Sequence, residues 1–109
     1  PYRINGYIEL PGLNSRVIIE PGAVVLGSTA SSGFKIGRGT LDASGSVNPE
    51  NNIVFYNINV GAVSAGGSGL TFRMLNGIWD TGRLANNSVD GYSTFNGIIE
   101  IKKSRLINN

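Results

Sequence analysis

The sequence contains no cysteine and no histidine, and each absence removes a class of chemistry. Without cysteine there is no disulfide, thiolate metal site or thiol nucleophile. Without histidine the commonest metal ligand and the usual catalytic base are missing. Zinc enzymes and Ser/His/Asp or Cys/His catalysis are therefore excluded within these 109 residues, and no cofactor is expected. Charge is scarce as well, at 15% of residues against the roughly 25% usual for soluble domains. The nine Lys and Arg stand singly except in Lys102-Lys103-Ser104-Arg105, which reads as a solvated face. A net charge of +2 so dispersed does not suit nucleic acid, and no such partner is expected. Long apolar runs are missing too. No stretch is long enough to span a membrane as a helix, and Pro1 opens no charged-then-apolar signal. With neither an initiating Met nor a signal, the chain reads as a processed product or an excised segment.

What is present is glycine, at 16 residues, and asparagine, nearly as frequent, among 40% apolar residues. Both favour positive-φ corners and are poor helix formers, so the mix predicts many turns and short strands in one domain over 1–109.

Apolar positions recur at every seventeenth place, at Ile19, Ile36, Ile53 and Leu70, and again at Val24, Leu41, Ile58 and Leu75. Around them runs period-two alternation: Val17 with Ile19, Phe34 with Ile36, Ile53 with Phe55, Leu70 with Phe72. Alternation over short runs signals strands with one buried face, and turn residues such as Pro21-Gly22 and Gly37-Arg38-Gly39 separate them. A unit this short cannot bury its apolar face alone, but stacked units form a continuous core. The expectation is an all-β, single-stranded parallel β-helix, a β-solenoid of about five to six coils, with both columns as vertical aliphatic ladders. Gly37-Arg38-Gly39 is then a corner within one coil rather than a hairpin tip, because a hairpin would not restart the next unit in phase.

The phase breaks once. After Leu75 the apolar column resumes at Ile99, which makes that unit twelve positions longer. A long loop is expected near 79–97, "WDTGRLANNSVDGYSTFNG", and long loops are frequent carriers of function. At the far end "SRLINN" follows the last strand pattern with no amphipathic cap, which predicts either continuation of the chain or stacking of another copy.

These residues resemble the right-handed parallel β-helix superfamily of pectate lyases, polygalacturonases and phage tailspike depolymerases. "IELPGLNSRVIIEPGAVV" looks like the opening coil of those proteins, "FKIGRGTLDASG" like their Ile-x-Gly-x-Gly-Thr-hydrophobic-Asp-x-x-Gly element, and "NNIVFYNINV" and "GIIEIKKSRLINN" like ordinary coil strands. The resemblance implies a right-handed coil. In the polygalacturonase branch catalytic carboxylates sit in an Asn-Thr-Asp-Gly element, and "SVDGY" is similar to it, which would give Asp90 that role; Ser88 and Val89 depart from the pattern. The branch's Asp-Asp, Gly-His-Gly and Arg-Ile-Lys elements are absent, so a glycosidase or polysaccharide lyase of this kind would hold most of its catalytic residues outside this chain.

Glycoside hydrolysis usually needs two carboxyl groups about 5 to 9.5 Å apart, one of them kept protonated. No two of the seven carboxylates are close in sequence, so a pair must be assembled by the fold. Asp80 and Asp90, both in the expected loop, lead as catalytic candidates, with Glu100 third. Asp42, Asn59 and Asn76 keep the same seventeen-position step and each stands one past a ladder position, so they would make an outward polar ladder able to bind sugar hydroxyls or itself. Trp79, Tyr56 and Tyr92 could stack on sugar rings, and Arg73 and Arg83 could pair with an acidic sugar. Asn86-Asn87-Ser88 fits a glycosylation sequon.

Two functions compete on this footing. One is a segment of a protein that binds or degrades a carbohydrate polymer, a phage tailspike or a secreted hydrolase or lyase, at the cell exterior or virion surface. The other is a non-catalytic structural solenoid that stacks end to end in a fibre. A homotrimer is compatible with both.

Overall fold

The computed structural model describes residues 1–62, 69–85 and 97–109. Their backbone forms thirteen strands and one short 3-10 helix, Pro49–Asn51. The strands are β1 (Tyr2–Ile4), β2 (Tyr7–Leu10), β3 (Arg16–Ile18), β4 (Val24–Gly27), β5 (Gly33–Ile36), β6 (Thr40–Ala43), β7 (Ile53–Tyr56), β8 (Asn59–Ala62), β9 (Leu70–Leu75), β10 (Gly77–Asp80), β11 (Leu84–Ala85), β12 (Gly97–Lys102) and β13 (Arg105–Ile107). All pairing among the described residues is parallel and falls into three sheets, ordered β1-β4-β7-β10-β13, β2-β5-β8-β11 and β3-β6-β9-β12. The chain thus winds as a β-solenoid, visiting a first, second and third face in turn. Gly37-Arg38-Gly39 is the expected corner: it joins β5 on the second face to β6 on the third, and the N–H groups of Gly37 and Gly39 donate to the Leu10 carbonyl of the winding beside it.

The seventeen-position step is not the winding. Tyr2 faces Val25, 23 positions on, and Leu41 faces Phe72, 31 positions on, which bracket the other registers. Ile36 neighbours Leu10 and Ala62 on the second face, Ile53 neighbours Gly77 on the first, and Leu70 neighbours Gly97 on the third. The predicted aliphatic ladders therefore do not exist as vertical stacks. Each such step advances by two faces, because every face needs an inward apolar residue and two strand-plus-corner units occupy about that length. Longer windings also make fewer turns than the five to six expected.

The true ladders are the in-register inward columns. On the first face the column runs Tyr2, Val25, Phe55, Trp79, Leu106; on the second Ile8, Phe34, Val60, Leu84; on the third Val17, Leu41, Phe72, Ile99. They meet in an aromatic centre. Phe34 lies 6.2 Å from Phe55 with rings stacked, and Trp79 meets Phe55 and Phe72 edge-on at 6.3 and 5.7 Å, separations at which aromatic pairs attract. The Trp79 indole N–H donates to the Ile58 carbonyl at 2.8 Å, so the one polar atom of that ring is satisfied inside the core.

Corners repeat as faithfully as strands. Asn57, Thr81 and Asn108 follow aligned positions of β7, β10 and β13, and all three have positive φ, between 54° and 60°. Asn76 and Lys103 do the same after the third face at 49° and 50°. Asn tolerates this left-handed region better than other residues with a side chain, which accounts for part of its abundance here. Gly82, at φ 123°, leaves no space for a side chain, since a Cβ would sit 2.0 Å from the Ile58 carbonyl oxygen.

Candidate functional site

Strand pairing decides which candidate side chains meet. On the exterior of the third face, Asp42, Arg73 and Glu100 lie side by side on β6, β9 and β12, in register. The sequence singles out Asp42 and Arg73 as substrate contacts and Glu100 as catalytic, with no reason to place them together. Arg73 Nε donates to Glu100 Oε1 at 3.2 Å. Arg16 on β3 reaches Asp42 Oδ2 at 3.6 Å from the other side. The result is a ridge of alternating sign, with neighbouring strands about 4.8 Å apart. A second column beside it, Arg16, Thr40, Thr71, Ile98, adds two hydroxyl groups.

Asp42 is the most tightly held of the three. Its Oδ1 accepts from the Ser44 backbone N–H at 3.0 Å and from the Ser44 hydroxyl. Partial burial pushes this carboxyl up, but the two Ser44 donors and the Arg16 guanidinium outweigh it and hold it below its ordinary value. A general acid requires the opposite, a carboxyl kept protonated. Asp42 is therefore a fixed acceptor, suited to hydrogen bonding rather than to proton donation.

The other candidates are dispersed. Asp80 ends β10 on the first face, half-buried, where it accepts from the Thr81 hydroxyl at 3.0 Å; Glu100 is on the third face, so these two carboxylates do not form a pair. Trp79 and Asp80, expected in the long loop, belong to β10, and Leu84–Ala85 forms β11, so the regular stack persists well into that segment. Trp79 is only 2% exposed and serves the core instead of a sugar. Tyr56, in register below Asp80, is the exposed aromatic of that column.

Asn59 and Asn76 do not extend Asp42 into an outward ladder. Both are buried, Asn59 as the first residue of β8 and Asn76 at the corner between β9 and β10, and the three positions fall on different parts of the circuit. Asn59 Nδ2 donates to the Ala30 carbonyl at 2.8 Å, and its Oδ1 accepts the Arg83 backbone N–H at 3.1 Å. Asn76 Nδ2 donates to the Ser46 carbonyl at 2.7 Å while its own carbonyl accepts from Asn52. These are ties between neighbouring windings. The Arg83 side chain is exposed at the start of the last strand on the second face, away from the ridge. Asp90, Tyr92 and the 86–88 sequon lie outside the described residues.

Among the described residues no group of His, Cys, Asp or Glu could hold a metal ion, and no helix is long and apolar enough to cross a membrane. Arg16, Thr40 and Thr71 are the contributors that sequence reasoning missed. Their signal is visible only once register is known, because the winding length varies between neighbouring coils. No family model, curated protein or solved structure matches this chain.

Proposed function

We propose that the chain is a segment of a right-handed parallel β-helix that binds a polysaccharide, as part of a tailspike-like or secreted polysaccharide-degrading protein acting outside the cell or at a virion surface. The right hand follows from the strong preference of parallel crossover connections. The observation that carries the binding reading is the third-face ridge, where carboxylates and guanidinium groups alternate from strand to strand beside the hydroxyls of Thr40 and Thr71. Such an array offers donors and acceptors along a line, the form in which a polyol chain presents its own. The same ridge argues for binding over cleavage within these residues, because Asp42 is held ionised and Asp80 stands on another face. The test is to measure binding to a panel of bacterial surface polysaccharides, with release of shortened products followed in parallel. Binding without products is the expected result, and failure to bind any of the panel removes the reading.

End-to-end stacking is a second reading, favoured by one observation. The N-terminal end of the core opens as a cavity of about 430 Å³ lined by Tyr2, Ile4, Ile8, Val17, Ile19 and Phe34 among others, and at the opposite end Leu84 and Leu106 are 41% and 53% exposed. Among the described residues β1, β2 and β3 are the outermost strands at one end and β11, β12 and β13 at the other, and such edges are able to pair. Electron microscopy of the purified protein separates the cases, since filaments support stacking and dispersed particles oppose it.

A further inference from the structure

We infer that the third-face ridge takes an uncharged glycan chain lying along the solenoid axis, not a polyuronate or other charged polymer. The inference rests on the polysaccharide reading and names the substrate class. Both guanidinium groups on the ridge are already matched by carboxylates, Arg16 by Asp42 at 3.6 Å and Arg73 by Glu100 at 3.2 Å. These two positive and two negative groups sum to no formal charge, and the exposed Lys102, two positions past Glu100 on the same outward side of β12, adds one positive charge at the edge of the ridge. A uronate entering here shares Arg73 with Glu100 or Arg16 with Asp42, and it meets that carboxylate as a like charge. An uncharged sugar meets no such repulsion. Carboxylate oxygens that already accept one donor retain lone pairs for hydroxyl groups, and guanidinium groups retain further N–H donors.

The register fixes the direction of the chain. Successive windings each present a pair of outward side chains in register, Thr40 with Asp42, Thr71 with Arg73, Ile98 with Glu100, one winding per about 4.8 Å. That spacing is close to the length of one sugar residue in an extended glycan, so a chain running along the axis meets one pair of side chains per sugar. A chain running parallel to the strands would leave the ridge after a single winding. Ile98 and Ile18, 47% and 62% exposed, flank the polar groups with apolar surface suited to the C–H faces of the rings.

The experiment compares binding of the wild-type chain, Thr71→Val and Glu100→Gln to immobilised neutral glycans (dextran, mannan, β-glucan) and to polyuronates (polygalacturonate, alginate), at low and high salt. Wild type is expected to bind a neutral glycan with an affinity that salt changes by less than about twofold, because no net charge is neutralised. Thr71→Val removes one hydroxyl at nearly constant shape and is expected to weaken that binding about fivefold to tenfold. Glu100→Gln frees the Arg73 guanidinium and is expected to create polyuronate binding that salt abolishes. A wild type that prefers polyuronate and releases it in salt overturns this inference while leaving the carbohydrate reading intact. Neutral-glycan binding indifferent to both substitutions overturns the site. Binding of nothing on either panel overturns the carbohydrate reading itself.

Discussion

Tyr2 and Trp79 occupy the same inward column of the first face, yet Tyr2 is 65% exposed and Trp79 2%. The difference is not one of residue type or of orientation. It is position along the axis. A residue pointing into a solenoid is covered from above and below by the neighbouring windings, so a central winding is sealed on both sides and a terminal one on a single side. The other two faces repeat the contrast. Phe34 is 1% exposed and Ile8, its partner one strand away, 38%. Stability in this molecule is thus concentrated in the middle windings, and a substitution is to be judged by its height in the stack.

The largest effect is expected at Trp79. Replacing it by Ala removes the ring that joins Phe55 to Phe72 and strands the Ile58 carbonyl, and fully buried aromatic-to-Ala changes cost about 3–5 kcal/mol. Urea unfolding of Trp79→Ala, followed by circular dichroism, should show that loss in its midpoint. A loss below about 1 kcal/mol would mean that the central windings are no better sealed than the ends.

Asn76→Ala comes next. This residue is 6% exposed, sits at φ 49°, and donates to the Ser46 carbonyl at 2.7 Å. Alanine loses that bond and tolerates the left-handed region less well, for an expected cost of about 1–3 kcal/mol by the same measurement. Ile8→Ala, in the first winding, is expected to cost under about 1.5 kcal/mol, because the side chain is already partly in water and leaves no closed cavity. Equal losses at Ile8 and Trp79 would break the comparison.

How far the fold is legible in the sequence follows from the same geometry. Strands, corners and the parallel coil can be read from alternation and from Gly and Asn, because those are local requirements that every face repeats. Vertical neighbours cannot be read. Windings differ in length, the one from Leu41 to Phe72 being longer than the one from Tyr2 to Val25, so Ile36 and Ile53 share a phase without sharing a face. The apolar pattern reports strands passed rather than turns completed. The site suffers for the same reason. Asp42, Arg73 and Glu100 each stand out in the sequence, but their adjacency depends on register, and Asn59, Asn76 and Trp79 look equally available until burial removes them. The polar residues at a corner and on a face carry the same letters.

The smallest predicted effect lies on the outside of the central windings, where the contrast between sealed and open positions gives way to charge. Asp42 has its carboxyl below the ordinary value of 3.8 in the folded chain, through the Ser44 donors and Arg16 acting against burial. Folding therefore favours its ionised form. The stabilisation is complete above the unfolded value and is lost as pH falls through the lower folded value. The unfolding free energy of wild type should exceed that of Asp42→Asn by a margin that is constant near neutrality and shrinks in acid below the carboxylate range. High salt should reduce only the share contributed by Arg16, whose side chain is 59% exposed, and leave most of the Ser44 share. A margin unchanged from neutral to acid pH would show that the charge on Asp42 contributes nothing, and the ridge would then be held by shape and neutral hydrogen bonds alone.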